Sequence, residues 1–280
     1  MNGSAPRIRP RELAVALLAA YLFRLGAGLV LSLAPASAVA ASGIRNLAAG
    51  DAALFARGGA YLIEVLTDER ELLVELLFPS LVLFVVLAFA SILPEWLALR
   101  ALGAPPAPAS RTLPRLGAIG ILTWGLRALL AFTTVALAFT LRSYFVGAND
   151  ERLPTLAMAA TALLGLALQA VVSVWHDLTE IHIVAHDTTV RDAVADAFIA
   201  LRERAAAFAT RYLAALLASA AALAGAFAIT SLIDVSQGGS ERALVTALVH
   251  QLAVLLIIAT RVGWLWSAWR VEAMPRSPRA

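Results

Sequence analysis

Six long apolar stretches dominate the pattern along the chain, at about Leu13–Ala34, Leu76–Leu99, Leu116–Leu141, Leu156–Trp175, Tyr212–Ile233 and Ala243–Trp269. A helix rising about 1.5 Å per residue needs about 20 mostly apolar residues to cross a hydrocarbon core about 30 Å thick, and each stretch is of that order. None shows the period-two alternation of a membrane β-strand, and each is too long to be one. The pattern predicts an all-α polytopic bundle. It forms one integral membrane domain over 1–280, with six transmembrane helices, interfacial amphipathic helices, and tails at 1–12 and 270–280.

Composition removes the alternatives. Hydrophobic residues make up 61% of the 280 and charged residues 15%, with no Cys, and the mean hydropathy is +0.82. Water-soluble domains average about 45–50% apolar and about 25% charged, so this chain has too little polar surface for a globule in water. The apolar excess also excludes disorder, and the missing thiols exclude a disulfide scaffold. All 22 basic residues are Arg and the net charge is only +3. Most of these Arg lie at helix ends, which argues against a nucleic-acid partner.

The same Arg residues set the expected orientation, because cytoplasmic loops carry excess positive charge. Thirteen (Arg7, Arg9, Arg11, Arg100, Arg111, Arg115, Arg191, Arg202, Arg204, Arg211, Arg270, Arg276, Arg279) fall on one side of the six spans, and six (Arg45, Arg57, Arg70, Arg142, Arg152, Arg242) on the other. Both termini are therefore expected in the cytoplasm of a bacterial inner membrane. The Arg7–Arg11 cluster, the apolar run and the small residues Ala36–Ala40 resemble a cleavable signal peptide. Against cleavage stand the length of that run and Arg24 within it.

The loops carry further expectations. Between Pro35 and Glu75, Tyr61, Leu62, Val65 and Leu66 at helical spacing suggest short amphipathic helices along the outer boundary, forming a lid. Ala101–Pro114, with Pro105, Pro106 and Pro108, reads as a stiff extended connector. The most polar segment is His176–Arg211. Within it Thr189 and Asp192 form a variant capping box ahead of a helix whose apolar face is Val190, Val194, Ala197, Phe198, Leu201, Ala205 and Phe208. That helix is expected along the inner membrane surface, turning into span five.

A span four ending in His176-Asp177, an elbow containing Asp187, an Ala-rich amphipathic helix and an Ala-rich span five resemble a group of poorly characterised bacterial six-span inner-membrane proteins. The pattern over Leu156–Ile233 is also similar to the membrane domain attached to some glycerophosphodiester phosphodiesterases. The resemblance implies the six-span architecture alone, since the chain lacks a soluble catalytic domain.

Two groups of residues could carry chemistry. His176, Glu180, His182, His186 and Asp187 fall within a dozen positions and are of metal-ligating or proton-relaying type. On a helix His182 and His186 share one face, while His176, Glu180 and Asp187 fall on another, so one ion cannot take both sets. The rival reading is a polar interfacial elbow whose Asp177 and Asp187 accept hydrogen bonds from backbone or Arg. The second group is Arg24, Arg127 and Arg261 inside spans one, three and six, with Glu95 in span two. An Arg at the bilayer centre costs about 2.5–3.5 kcal/mol on an insertion scale, so these should face inward. Glu95 is expected to pair with Arg261, and the remaining Arg to bond Gln169, Ser173, Thr123, Thr133 or carbonyls, or to bind an anionic group such as a lipid phosphate.

Lesser features complete the reading. His250 and Gln251 could bond spans four or five. Ala214, Ala218, Ala222 and Gly225 offer a smooth face for close helix packing, and Trp175, Trp264, Trp266 and Trp269 read as interfacial anchors. No nucleotide-binding or hydrolase motif is present, and no cofactor is implied. The expectation is a membrane scaffold or accessory subunit without enzyme activity, in contact with the bilayer and a partner membrane protein. The alternative is a carrier or lipid-handling protein that binds anionic lipid through the buried Arg groups.

Overall fold

The structure is a computed structural model describing residues 8–41, 70–103, 108–145, 152–233 and 240–273. Among these residues all regular secondary structure is helical: α1 (Pro10–Ala41), α2 (Arg70–Ala90), α3 (Ile92–Ala101), α4 (Ala109–Phe145), α5 (Leu153–His186), α6 (Val190–Ser231) and α7 (Ser240–Glu272). Six segments are long and apolar enough to cross a membrane: Pro10–Leu33, Phe78–Ala101, Ala109–Phe145, Leu153–His186, Val190–Ser231 and Leu244–Glu272. The protein is an all-α, multi-pass membrane protein. Its helices turn large apolar side chains outward, with Phe132 and Phe227 each 73% exposed. Such surface would drive association in water and is satisfied by hydrocarbon.

Several boundaries differ from the apolar pattern for local reasons. The second span is interrupted at Ser91, between α2 and α3. Pro94 has no N–H for the carbonyl of Ala90 and its ring would crowd that carbonyl, so the helix restarts rather than continues. The connector expected over Ala101–Pro114 is shorter, because α4 already begins at Ala109 and holds Pro114 inside it. α5 runs past Trp175 to His186 and ends on Asp187 in the left-handed conformation (φ 49°). The amphipathic helices expected between Gly43 and Asp68 lie outside the described residues.

The capping box opens α6. Asp192 N–H donates to Thr189 Oγ1 at 3.3 Å, and the Thr189 hydroxyl donates to Asp192 Oδ2 at 2.7 Å. α6 then runs on into the fifth span with one break in helical geometry, at Arg204. Its inward face shares Ala197 and Phe208 with the one drawn from the sequence and adds Ala193 and Ala200. Ala193, Ala197, Ala200 and Phe208 are buried, whereas Phe198 is exposed. Three Ala on the inner face allow close helix approach, and lipid accepts the displaced Phe198 without cost. The small-residue face further along is correspondingly open, with Ala214 and Ala218 exposed and the space around Gly225 empty.

The chain divides into two compact units. Unit one comprises Met1–Leu13, Trp96–Ala215 and Val262–Ala280, and unit two Ala14–Glu95 and Leu216–Arg261. In unit two α7 is tied to α1 by Tyr21 Oη donating to Gln251 Oε1 (3.1 Å), and to α6 by a Ser219–Thr260 hydroxyl pair (2.8 Å). Gln251 thus meets span one rather than spans four or five, and His250 Nδ1 stays on its own helix beside the Thr246 carbonyl.

In unit one α4 and α5 pack along much of their length. They approach closely at Gly165, where an added Cβ would lie 2.6 Å from Thr134 Oγ1. Further along α5 the nine consecutive residues His176–Val184 are all buried, so the helix there is enclosed on every side. Buried residues come from each other helix of the unit: Leu99 and Ala101 of α3, Leu116 and Ile119 of α4, Ala197 and Phe208 of α6, Leu265 and Ala268 of α7. Trp264 and Trp269 are buried as well, which makes them core residues instead of interfacial anchors.

The Gly165 contact yields a direct prediction. Gly165→Ala should destabilise the protein by about 1–3 kcal/mol through overpacking, read as a lower melting temperature in detergent. Thr134→Ala introduced with it should restore most of the loss. Equal melting of Gly165→Ala and wild type would show that α4 and α5 do not approach this closely.

Candidate functional site

Over about two turns the buried end of α5 holds four titratable side chains, His176, Asp177, Glu180 and His182, with Asp177 fully buried and Glu180 1% exposed. Helical spacing sorts them onto different neighbours. His176 and Glu180, one turn apart, meet each other, with Nε2 3.3 Å from Oε1. On the ring's other side His176 Nδ1 lies 3.2 Å from Thr123 Oγ1 of α4, a hydroxyl itself within hydrogen-bond reach of the Ile119 (2.8 Å) and Gly120 (3.1 Å) carbonyls. Glu180 Oε2 is buried with no hydrogen-bond partner among the described residues.

Asp177 points to α7 and accepts a 2.6 Å hydrogen bond from Trp264 Nε1. The Trp264 ring packs edge-on against Tyr212 of α6, with centroids 5.0 Å apart, so a single indole joins α5, α6 and α7. His182 stands 3.8 Å from Glu272 Oε1 near the end of α7, and its ring centroid lies 5.5 Å from that of His186. Asp187 belongs to a separate anchor. Arg115 of α4 donates to Asp187 Oδ1 (2.6 Å) and to the carbonyls of Asp187 (3.2 Å) and Thr188 (3.1 Å). This fixes the left-handed turn that redirects the chain into α6.

Of the five residues singled out here from the sequence, the structure brings His176 and Glu180 together, pairs His182 with His186, and places Asp187 apart. The helix keeps His176 with Glu180 and His182 with His186, as spacing suggested, whereas Asp187, assigned to the His176 face, caps the helix end and pairs with Arg115. Burial is where the picture differs, because His176–Val184 lies in the core of unit one instead of at an interfacial elbow. Asp187 does accept from Arg, as that reading supposed, whereas Asp177 accepts from an indole. Trp264 and Glu272 were not singled out as partners, and Thr123, expected to bond an Arg, meets His176 and a carbonyl of its own helix instead. A Trp three residues past a buried Arg carries no signal in sequence that distinguishes a core donor from an interfacial anchor.

The charged group inside the spans is divided between the units. In unit two Arg261 Nη2 lies 3.4 Å from Glu95 Oε1, both side chains part-buried. Arg24 is near enough to feel both charges, yet it is exposed and has no hydrogen bond among the described residues. It departs from the expectation that every mid-span Arg faces inward. In unit one Arg127 Nη2 donates to Ser173 Oγ (3.1 Å), and Gln169 Nε2 donates to the Arg127 carbonyl (2.8 Å). Those partners, Ser173 and Gln169, are among the ones the sequence suggested. Arg127 is therefore part of the α4–α5 seam.

Two indoles on α7 make the contribution of this core measurable. Trp264 Nε1 has a buried carboxylate partner, whereas Trp266 Nε1 is buried with none among the described residues, its ring lying 4.7 Å from the Arg270 guanidinium. A hydrogen bond to a charged group contributes about 1.5–3 kcal/mol. Trp264→Phe should accordingly lower the melting temperature clearly more than Trp266→Phe, and equal shifts would contradict the Asp177 contact.

Compared with known protein families, with characterised proteins and with solved structures, the chain matches none.

Proposed function

We propose that the protein is a scaffold or accessory subunit of a bacterial inner membrane, with both termini cytoplasmic and no enzyme activity of its own. The observation that carries this reading is how unit one uses its Arg residues. Arg115 holds the Asp187–Thr188 turn, Arg211 donates to the Ser267 carbonyl (3.0 Å), and Arg204 donates to the carbonyls of Val271 and Glu272 at the end of α7. Cations are favourable at a helix C-terminus, where carbonyls lack helical partners. These side chains fasten helix ends to one another, which suits a rigid platform better than a site that turns over substrate. The open Ala214–Ala218 face of α6 offers a partner helix close approach, as small residues do in membranes. The excess of Arg at the ends gathered in unit one supports the cytoplasmic placement. The membrane architecture would then be similar to that of the six-span proteins the sequence resembles.

A second reading, a carrier or lipid-handling protein, is favoured by Arg24. Two guanidiniums and one carboxylate stand near each other in unit two, and the exposed one has no hydrogen bond among the described residues. A lipid phosphate would supply the missing acceptor.

Native mass spectrometry of material extracted from its own membrane separates the two. The scaffold reading predicts a stoichiometric second membrane protein, retained by Arg24→Gln. Isolation of the chain alone, with an anionic phospholipid that Arg24→Gln loses, would overturn it in favour of the second reading.

A further inference from the structure

We propose that residues 190–203 of α6 are a binding element for anionic phospholipid, with Phe198 set into the acyl boundary and Arg191 and Arg202 on lipid phosphates. The element belongs to unit one and does not involve Arg24, so it is independent of both functional readings.

Helix length sets the tilt of this segment. From His182 to Asp187 α5 advances about 7.5 Å, whereas from Val190 to Arg204 α6 covers about 21 Å. Both paths begin at one turn and end at the close of α7. There His182 stands beside Glu272, and Arg204 donates to the carbonyls of Val271 and Glu272. A first part of α6 antiparallel to α5 would overshoot that point by more than the length of an Arg side chain. It is therefore inclined across the end of α5, and the break in helical geometry at Arg204 lets the rest of α6 turn into its span.

The rotation of the segment about its own axis is fixed as well. Ala193, Ala197 and Ala200 are buried against unit one. Asp196 is close enough to His186 to act on its charge, and at about 100° per residue Asp192 and Glu203 share its flank. His186 lies eleven residues past Trp175, where the apolar stretch of α5 ends, so this acidic flank faces away from the bilayer. The opposite flank carries Val194, Phe198, Leu201 and Ala205 and faces the bilayer, with Phe198 62% exposed. On the outer edge, turned from the buried Ala face, stand Arg191 and Arg202, both exposed and neither in an ion pair among the described residues. An aromatic ring towards the acyl chains, guanidiniums at the rim and carboxylates towards water is the arrangement of a helix lying in a membrane interface. The long Arg stems reach phosphate oxygens, which the planar guanidinium fork matches, and the positive edge selects anionic lipid.

The test uses the full chain in nanodiscs. Because it contains no Cys, Phe198→Cys or Asp196→Cys can carry a single environment-sensitive dye. At 198 the dye should be quenched by phospholipid spin-labelled near its headgroup and shielded from aqueous iodide, and at 196 the reverse should hold. At equal mole fraction, spin-labelled phosphatidylglycerol should quench the dye at 198 more strongly than spin-labelled phosphatidylcholine. Arg191→Gln combined with Arg202→Gln should lower that preference, by roughly fivefold for each Arg at low salt. The proposal is overturned if iodide reaches 198 as readily as 196, the face then standing in water. It is equally overturned if neither quencher reaches 198, a protein surface then covering it, or if the two lipids quench alike or the preference survives loss of both Arg.

Discussion

Hydrocarbon offers no hydrogen bonds, and that constraint organises the polar contacts of the spanning helices. A hydroxyl, amide or charge on a spanning helix must find its partner inside the protein or reach water. The short polar side chains meet this locally: Thr112, Thr123, Thr134, Thr140, Thr161, Thr179 and Thr210 each return a hydroxyl to a carbonyl of their own preceding turn. Longer ones reach across to a neighbouring helix and thereby decide which helices are joined. Gln169 and Arg127 join α4 to α5, Tyr21 and Gln251 join α1 to α7, and Arg211 joins α6 to α7. Apolar packing fills the remaining volume, but lipid competes for it on nearly equal terms. The polar links are the contacts with no equally good alternative outside.

Unit one shows where this leads. Its centre is a helical segment enclosed on all sides yet carrying two imidazoles and two carboxylates. Each of these has a named neighbour on α4, α5 or α7. Removing one partner from such a set strands the other in a low-dielectric core, so the set behaves as a unit. The Arg residues that fasten the ends of α5 and α7 hold the frame in which the indole of Trp264 and the hydroxyl of Thr123 can aim.

The spans were legible in the sequence because their signal is cumulative, a score of apolar residues with few charges among them. The capping box at Thr189 and the pairing of Glu95 with Arg261 were legible for a related reason, since few residues compete for those roles. Two kinds of information were hidden. Polarity in a segment such as His176–Asp187 reads alike whether water or a polar core receives it, and here the core does. The face of an Ala-rich helix is also ambiguous, because Ala suits both lipid and close packing. The buried face of α6 therefore runs through Ala193, Ala197 and Ala200 while Phe198 points outward. Arg24 is the case in which a general rule, that mid-span guanidiniums face inward, does not predict the side chain's exposure.

The claim on which the site depends is that the end of α5 is enclosed by protein. Because the chain contains no Cys, single-cysteine labelling tests this without background. Thr179 is fully buried and Arg191 is exposed. In membrane vesicles open on both faces, Thr179→Cys should resist a water-soluble maleimide until the protein is denatured, while Arg191→Cys reacts at once. Labelling of Thr179→Cys in the native protein as fast as Arg191→Cys would place the segment at the water boundary and contradict the account.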